Sequence, residues 1–500
     1  MPDPSRTEQE EQDDPTADGA VESPIDQDLK DDATAVEITG PGGTSRRPLI
    51  ITAAIIVVLF AVGSGTAWDS IGIWLPFLLL FLFMTVGVPI AYSMLLSGIV
   101  GIYMAIGLGG TVGMLGTVPQ ATAASHALTT IPMFILMAEF LSQGRLTREL
   151  FRMAANWLAP FRGGLAMAVV GANGIFGAMS GSSVAAAGLL ASVSVPEMRR
   201  YGYSERLALG TVASAGTFSV MIPPSIALII YGIATETSIG RLFAAGFLPA
   251  LATLLVYLLI VYGWARIYPD AAPRAEKVDI KERLSSLRAV LPAIPLIVLV
   301  LGGIYAGVMT PTEAGAVGAA GALVVSVAVG GLRWNGIRRA IINSTAITAM
   351  ILLIVIGANL FGNFLSVSGA TTAVVGFVTE SDISPWTAMI MMLVIYVFLG
   401  TFMSQTAILL LTLPLTFPLA VALGFHPIWF GIVVVKTAEI GLASPPLGLN
   451  CYVTFGVAGG KLKDVFWGSG TFLVGDFLVL AAILASEDLV VAVADLIFQA

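Results

Sequence analysis

Residues 165–196 read LAMAVVGANGIFGAMSGSSVAAAGLLASVSVP, an apolar run broken at its middle by Ser180-Gly181-Ser182-Ser183. Arg145, Arg148, Arg152 and Arg162 precede this run, and Arg199, Arg200 and Arg206 follow it. Positive charge marks cytoplasmic loops, so both ends are expected on the same side. Each arm is then about 14 residues long, short of the roughly 20 that a helix needs to cross a bilayer core. The run is therefore predicted to enter from the cytoplasm, turn inside the membrane and return. Such a course is tolerated only where protein or a wet cavity surrounds the tip.

The rest of the chain supplies that membrane setting. It has 500 residues, of which 57% are hydrophobic and 11% charged, whereas soluble domains carry about 25% charge. Apolar segments recur at 49–66, 71–90, 91–109, 122–143, 207–234, 242–263, 290–308, 312–330, 340–364, 385–418, 429–457 and 466–486. The net charge of −8 is misleading, because residues 1–48 hold 13 of the 32 acids and only four of the 24 Lys and Arg. That head is predicted to be a disordered, acidic, cytoplasmic tail, with Arg46 and Arg47 holding it inside. It lacks the basic start and early apolar core of a signal peptide. One cysteine, Cys451, and two histidines, His126 and His426, leave no disulfide framework and no zinc or haem site. Nucleophile–base pairs are also absent, so a transporter is expected rather than an enzyme. Membrane lipids are the expected surroundings, and nothing points to nucleic acid.

A shift of 222 residues overlays two regions without a gap. Pro196 falls on Pro418, Gly202-Tyr203 on Gly424-Phe425, Pro223-Pro224 on Pro445-Pro446, and Ser182 on Ser404. The charges separate the copies. Residues 366–384, the counterpart of the Arg-rich loop 144–162, have no Lys or Arg but have Glu380 and Asp382. The second copy is thus expected to be inverted, with hairpin 385–418 entering from outside and turning near Met403-Ser404-Gln405-Thr406. The predicted organisation is a tail at 1–48, a first half at 49–265 with hairpin 165–196 and broken helix 207–234, a cytoplasmic linker at 266–289, and a second half at 290–500 with hairpin 385–418 and broken helix 429–457. This is an all-α polytopic membrane protein built from inverted-topology repeats, the arrangement of secondary transporters.

Each copy has a second interruption, a proline break. Gly216, Thr217, Pro223, Pro224 and Ser225 mark the first, and Gly441, Ser444, Pro445, Pro446 and Gly448 the second. Proline removes a backbone donor and clashes with the preceding turn, which frees carbonyls. Freed carbonyls with Ser and Thr hydroxyls suit an alkali cation, and half-helix N-termini suit a carboxylate. Gly and Ser in membrane helices also serve close packing, and for any one serine that reading stands beside ligation. Charges inside a membrane are functional candidates: Glu139, Glu313, Lys436 and Glu439. Lys436 and Glu439, three apart, fit a local ion pair as well as a ligand contact. Glu313, beside Thr310-Pro311-Thr312, fits a helix cap. Asn173, Asn359 and Asn363 are candidates for interhelical bonds or for the solute path.

Several stretches together resemble the large membrane subunit, of the dicarboxylate type, of tripartite ATP-independent periplasmic transporters. They include Arg162-Gly163-Gly164-Leu165-Ala166, Ser180-Gly181-Ser182-Ser183-Val184-Ala185, Pro196-Glu197-Met198-Arg199-Arg200-Tyr201-Gly202-Tyr203 and Ile222-Pro223-Pro224-Ser225. In the second half, Thr310-Pro311-Thr312-Glu313, Trp429-Phe430-Gly431, and Glu439-Ile440-Gly441-Leu442 leading to Pro445-Pro446-Leu447-Gly448-Leu449-Asn450 carry it. The resemblance implies a sodium-driven inner-membrane importer of an organic acid with an elevator-like moving domain and sodium as coupling ion, with no other cofactor. It implies two partners, a separate small four-helix membrane subunit and a periplasmic substrate-binding protein. It also implies that the tips and breaks hold sodium and substrate. Ser404 stands where many relatives carry an acid, which removes a negative charge from the second tip. A self-sufficient sodium/anion symporter of similar fold is the neighbouring reading, and a non-transporting membrane enzyme or scaffold the distant one.

Overall fold

A computed structural model describes residues 74–143, 146–274 and 278–498 of the chain. The acidic head and the first apolar segment, 49–66, lie outside the described residues. Regular structure among the described residues is entirely helical, and six helices are long and apolar enough to cross a membrane.

Helix α1 (Leu75–Thr85) leads into α2 (Ile90–Ala123) and α3 (Thr130–Gln143). The sequence places a connection after residue 109, and the helical backbone of α2 is interrupted close by, at Gly107, which has φ +73° and ψ −176°. Helix then resumes and runs on to Ala123. Helix α4 (Leu146–Leu158) is amphipathic and buries Leu146, Leu150, Phe151 and Ala154. The first hairpin follows as α5 (Gly164–Ser180) and α6 (Ser183–Arg200), and the first broken helix as α7 (Glu205–Phe218) and α8 (Ile226–Ala234). Helix α9 (Ile239–Ile267) closes the first half.

The stretch 266–289, expected as a plain linker, forms a short turn at Pro269–Ala271 and helix α10 (Ile280–Val290). It straps the base of the first hairpin. Gly163 N donates to the Ala272 carbonyl at 3.3 Å and Ser204 N to the Ala271 carbonyl at 3.0 Å. Trp157 Nε1 on α4 donates to the Arg283 carbonyl at 3.3 Å.

The second half contains α11 (Ala293–Tyr305), α12 (Pro311–Ala328) and α13 (Trp334–Val367). The segment 366–384, read as a loop, holds helix α14 (Ala370–Glu380). Next come the second hairpin, α15 (Pro385–Gly400) and α16 (Gln405–Ala422), then α17 (Pro427–Ala443) with α18 (Leu449–Ala458), and finally α19 (Leu462–Ala485) and α20 (Glu487–Phe498). The four hairpin arms have 17, 18, 16 and 18 residues. The arms of the first hairpin exceed the expected 14, α6 because its helix continues through Pro196 to Arg200. At about 1.5 Å per residue they remain near 26 Å, shorter than a bilayer core of about 30 Å.

The long helices α2 and α13 cross in close contact. A Cβ added to Gly98 would lie 2.8 Å from Phe361 N, and one added to Gly357 would lie 2.7 Å from the Ala91 carbonyl. Small residues at such crossings let backbones approach without lipid between them. Helix α12 begins with the capping box expected of Glu313: Glu313 N donates to Thr310 Oγ1 at 3.3 Å, and Thr310 N to Glu313 Oε2 at 2.8 Å. Replacing Thr310 with alanine should cost about 1 kcal/mol. A thermal-unfolding scan in detergent checks this, and an unshifted midpoint would leave the cap without weight.

Candidate functional site

Both hairpins turn where the sequence placed their tips. Gly181 adopts φ +57°, and Ser182 is the N-cap of α6, its Oγ accepting from Ala185 N at 3.4 Å. Ser404 is the N-cap of α16 but makes no side-chain cap bond. Tip and break are in direct contact within each half. A Cβ on Gly181 would lie 3.1 Å from Ile226 N and 3.3 Å from the Pro224 carbonyl, so the first tip rests on the first break. In the second half Gly448 N donates to the Thr401 carbonyl at 3.2 Å. A Cβ on Gly441 would lie 2.5 Å from the Cα of Gly400. The Pro223–Pro224 and Pro445–Pro446 peptide bonds are both cis. The halves also interlock, with α6 packing on α18 and α16 on α8.

The two tips meet on one cavity of about 360 Å³. Gly181, Ser182 and Ser183 line it from the first half, and Ser404, Gln405 and Thr406 from the second. Gln405 Nε2 donates to the Val435 carbonyl at 3.0 Å, leaving its buried Oε1 without a partner. Glu139 on α3 forms part of the opposite wall and accepts from Asn343 Nδ2 at 3.2 Å. A second cavity, of about 550 Å³, is lined by Thr122, Glu236, Asn359 and Asn363 among others. There Asn359 Nδ2 donates to Thr122 Oγ1 at 2.9 Å, so this asparagine both bridges helices and lines a space.

The two cavities share one seam. Helices α3 and α13 form one wall of both, α8 and α16 contribute to the other, and successive turns of each helix face successive cavities. Ile135 and Ile351 line the smaller cavity, Ile131 and Val355 the larger.

The breaks differ from the tips chemically. Thr217 Oγ1 donates to the Ser214 carbonyl at 2.7 Å, Ser219 Oγ to Gly216 at 2.8 Å and Ser444 Oγ to Ile440 at 2.7 Å. Those hydroxyls satisfy their own helices, and Ser225 Oγ caps Leu228 N at 3.2 Å. The expected break residues Gly216, Thr217, Pro223, Pro224, Ser225, Gly441, Ser444, Pro445, Pro446 and Gly448 stand behind the tips and line neither cavity, as does Met403. The breaks are also unlike each other. Thr217, Ser219 and Ser225 are fully enclosed, whereas Pro445, Pro446 and Leu447 are exposed.

The three residues named for a solute path, Asn173, Lys436 and Glu439, are wholly buried and line neither cavity. Asn173 Nδ2 donates to the Ala215 carbonyl, joining α5 to α7. Lys436 Nζ pairs with Glu439 Oε1 at 3.1 Å, the local ion pair the spacing allowed. A stronger partner was missed: Asp476 Oδ1 on α19 lies 2.7 Å from Nζ. Asp476 Oδ2 accepts from Tyr257 Oη at 2.8 Å, and Nζ also donates to Thr253 Oγ1 at 3.1 Å. A lone acid inside the apolar run 466–486 was the signal in the sequence that pointed to it.

Six helices long and apolar enough to cross a membrane, with interrupted helices meeting at a cavity, define a polytopic helical membrane protein. Residues 77–489 match the family described as "Tripartite ATP-independent periplasmic transporter, DctM component", and the chain belongs to that family as a large permease protein. It is 38% identical over 339 residues to the C4-dicarboxylate TRAP transporter large permease protein DctM of Pseudomonas aeruginosa, covering 68% of this chain and 79% of the relative. It is 30% identical to the ectoine TRAP transporter large permease protein TeaC of Halomonas elongata, covering 80% and 92%. Its fold is similar to that of the Alcanivorax borkumensis YdaH transporter, with a TM-score of 0.57, 14% identity, and coverage of 82% of this chain and 98% of that one.

Proposed function

We propose that this chain is the moving, sodium-coupled permease of a three-part importer. It takes up a small organic acid across the bacterial inner membrane, with its N-terminus in the cytoplasm. The observation that carries this reading is the convergence of the two hairpin tips on one cavity, each tip backed by its own proline break. Sodium is the co-transported ion. Its ligands are hard oxygens at the tips, where Ser404 Oγ makes no cap bond, together with backbone carbonyls released at the breaks. The substrate carboxylate lies toward the free N–H groups that open α6 and α16, where partial positive charge favours an anion.

The opposite charge of the matched loops supports an inverted second half. Inverted halves with interrupted helices support alternating access. The hairpins and broken helices move as a unit along the seam against α2, α3, α12 and α13, and the substrate passes from one chamber to the other. Family membership supports the two partners, a small four-helix membrane subunit and a periplasmic protein that delivers the acid.

Uptake in proteoliposomes tests the reading. Transport should require a sodium gradient, the small subunit and the binding protein together. Uptake by this chain alone would make it a self-sufficient symporter. Replacing Ser182 or Ser404 with leucine should raise the sodium concentration for half-maximal uptake by about tenfold, with expression in the membrane retained. Unaltered sodium dependence in both variants would count against ligation at the tips.

A further inference from the structure

Lys436, Glu439 and Asp476 are the only buried charged side chains among the described residues, each fully enclosed. Two carboxylates and one ammonium leave a net charge of −1. The imbalance has a location. Both oxygens of Asp476 are engaged, by Lys436 and Tyr257, and Glu439 Oε1 is engaged by Lys436. Glu439 Oε2 has no partner. An unsatisfied carboxylate oxygen in dry protein is strongly unfavourable unless a positive charge compensates it.

The cluster lies near both breaks. Glu439 stands on α17 five residues before Ser444, where the second break begins, and two before Gly441, which packs on Gly400 of the second hairpin. Tyr257, bonded to Asp476, also packs edge-on against Phe218, the last residue of α7 before the first break, with ring centroids 5.5 Å apart. The second tip carries Ser404 and no acid of its own; the carboxylate lining the shared cavity, Glu139, comes from α3 on the opposite wall and bonds Asn343.

We propose that the Lys436–Glu439–Asp476 cluster supplies, through its net field, the negative charge that balances a monovalent cation at the second break. This rests on the sodium-coupled reading above. Lys436 sets the magnitude: it cancels one carboxylate, so the ion meets a single negative charge. A pair of uncompensated acids would hold it too tightly to release, and a neutral cluster would hold it weakly.

Binding of radioactive sodium to the purified full-length chain tests this directly. Glu439→Gln makes the cluster neutral and should weaken sodium binding by on the order of tenfold, the scale of one unit charge acting over about 12 Å at an effective dielectric of about 20. The double variant Lys436→Met, Glu439→Gln restores −1 through Asp476 and should recover most of the lost affinity. A merely structural cluster would make the double variant worse than the single. Unchanged affinity in Glu439→Gln, or no recovery in a double variant that elutes as a monodisperse peak, overturns the proposal while leaving sodium coupling intact. An unaltered chain that binds no sodium overturns the coupled reading itself, and the charge-balancing role with it.

Discussion

Replacing Gly181 with valine should abolish sodium-dependent uptake while the protein still reaches the membrane. Gly181 has φ +57°, a conformation that costs a residue with a Cβ roughly 1–2 kcal/mol. The new side chain would also meet Ile226 N and the Pro224 carbonyl, both backbone atoms that cannot rotate away. Overpacking of this kind costs about 1–3 kcal/mol. The sum, about 3 kcal/mol, corresponds to roughly a hundredfold loss if it falls on the bound geometry. Alanine at the same position should give an intermediate loss, since it keeps the smallest Cβ. The checks are uptake in the complete system, and stabilisation by sodium in a thermal scan. A valine variant with normal uptake would mean that contact between the first tip and the first break is dispensable.

The second large effect is expected on stability. Lys436→Met leaves Glu439 and Asp476 without their shared cation in a fully enclosed environment. Removing one partner of a buried charged set costs about 3–5 kcal/mol, because the survivors remain buried. Tyr257 still bonds Asp476, which limits the damage to that acid, but Glu439 keeps only its own helix. The variant should unfold at markedly lower temperature, or fail to accumulate in the membrane. Fluorescence size-exclusion profiles and unfolding midpoints measure this. A midpoint equal to that of the unaltered chain would mean the acids already hold protons, and the cluster would not be ionic. Because three helices meet at Lys436, the loss should propagate to α9 and α19 together.

Much of this architecture was legible in the sequence. The first hairpin could be read because Ser180-Gly181-Ser182-Ser183 interrupts an apolar run with arginines at both ends, and the chain turns there. The breaks could be read because Pro223-Pro224 and Pro445-Pro446 recur at one spacing. Their abutment on the tips also follows from glycines, Gly181 and Gly441, that sequence alone marks only as small. What escaped depended on three-dimensional choices. The hydroxyls of Thr217, Ser219 and Ser444 fold back on their own helices, and no spacing rule distinguishes that from pointing at an ion. Asp476 lies 40 positions from its ammonium partner, so no local pattern joins them. The helix at Ala370–Glu380 arises because that segment carries no strong stop, only a glycine and a lone charge.

The first break is sealed and the second is open at Pro445, Pro446 and Leu447. Leu447 and Ser225 occupy equivalent places under the 222-residue shift, yet Leu447 is exposed and Ser225 is fully enclosed. A side chain added at the one position has room, and at the other it meets packed neighbours, so two halves alike in outline are unequal in what they tolerate.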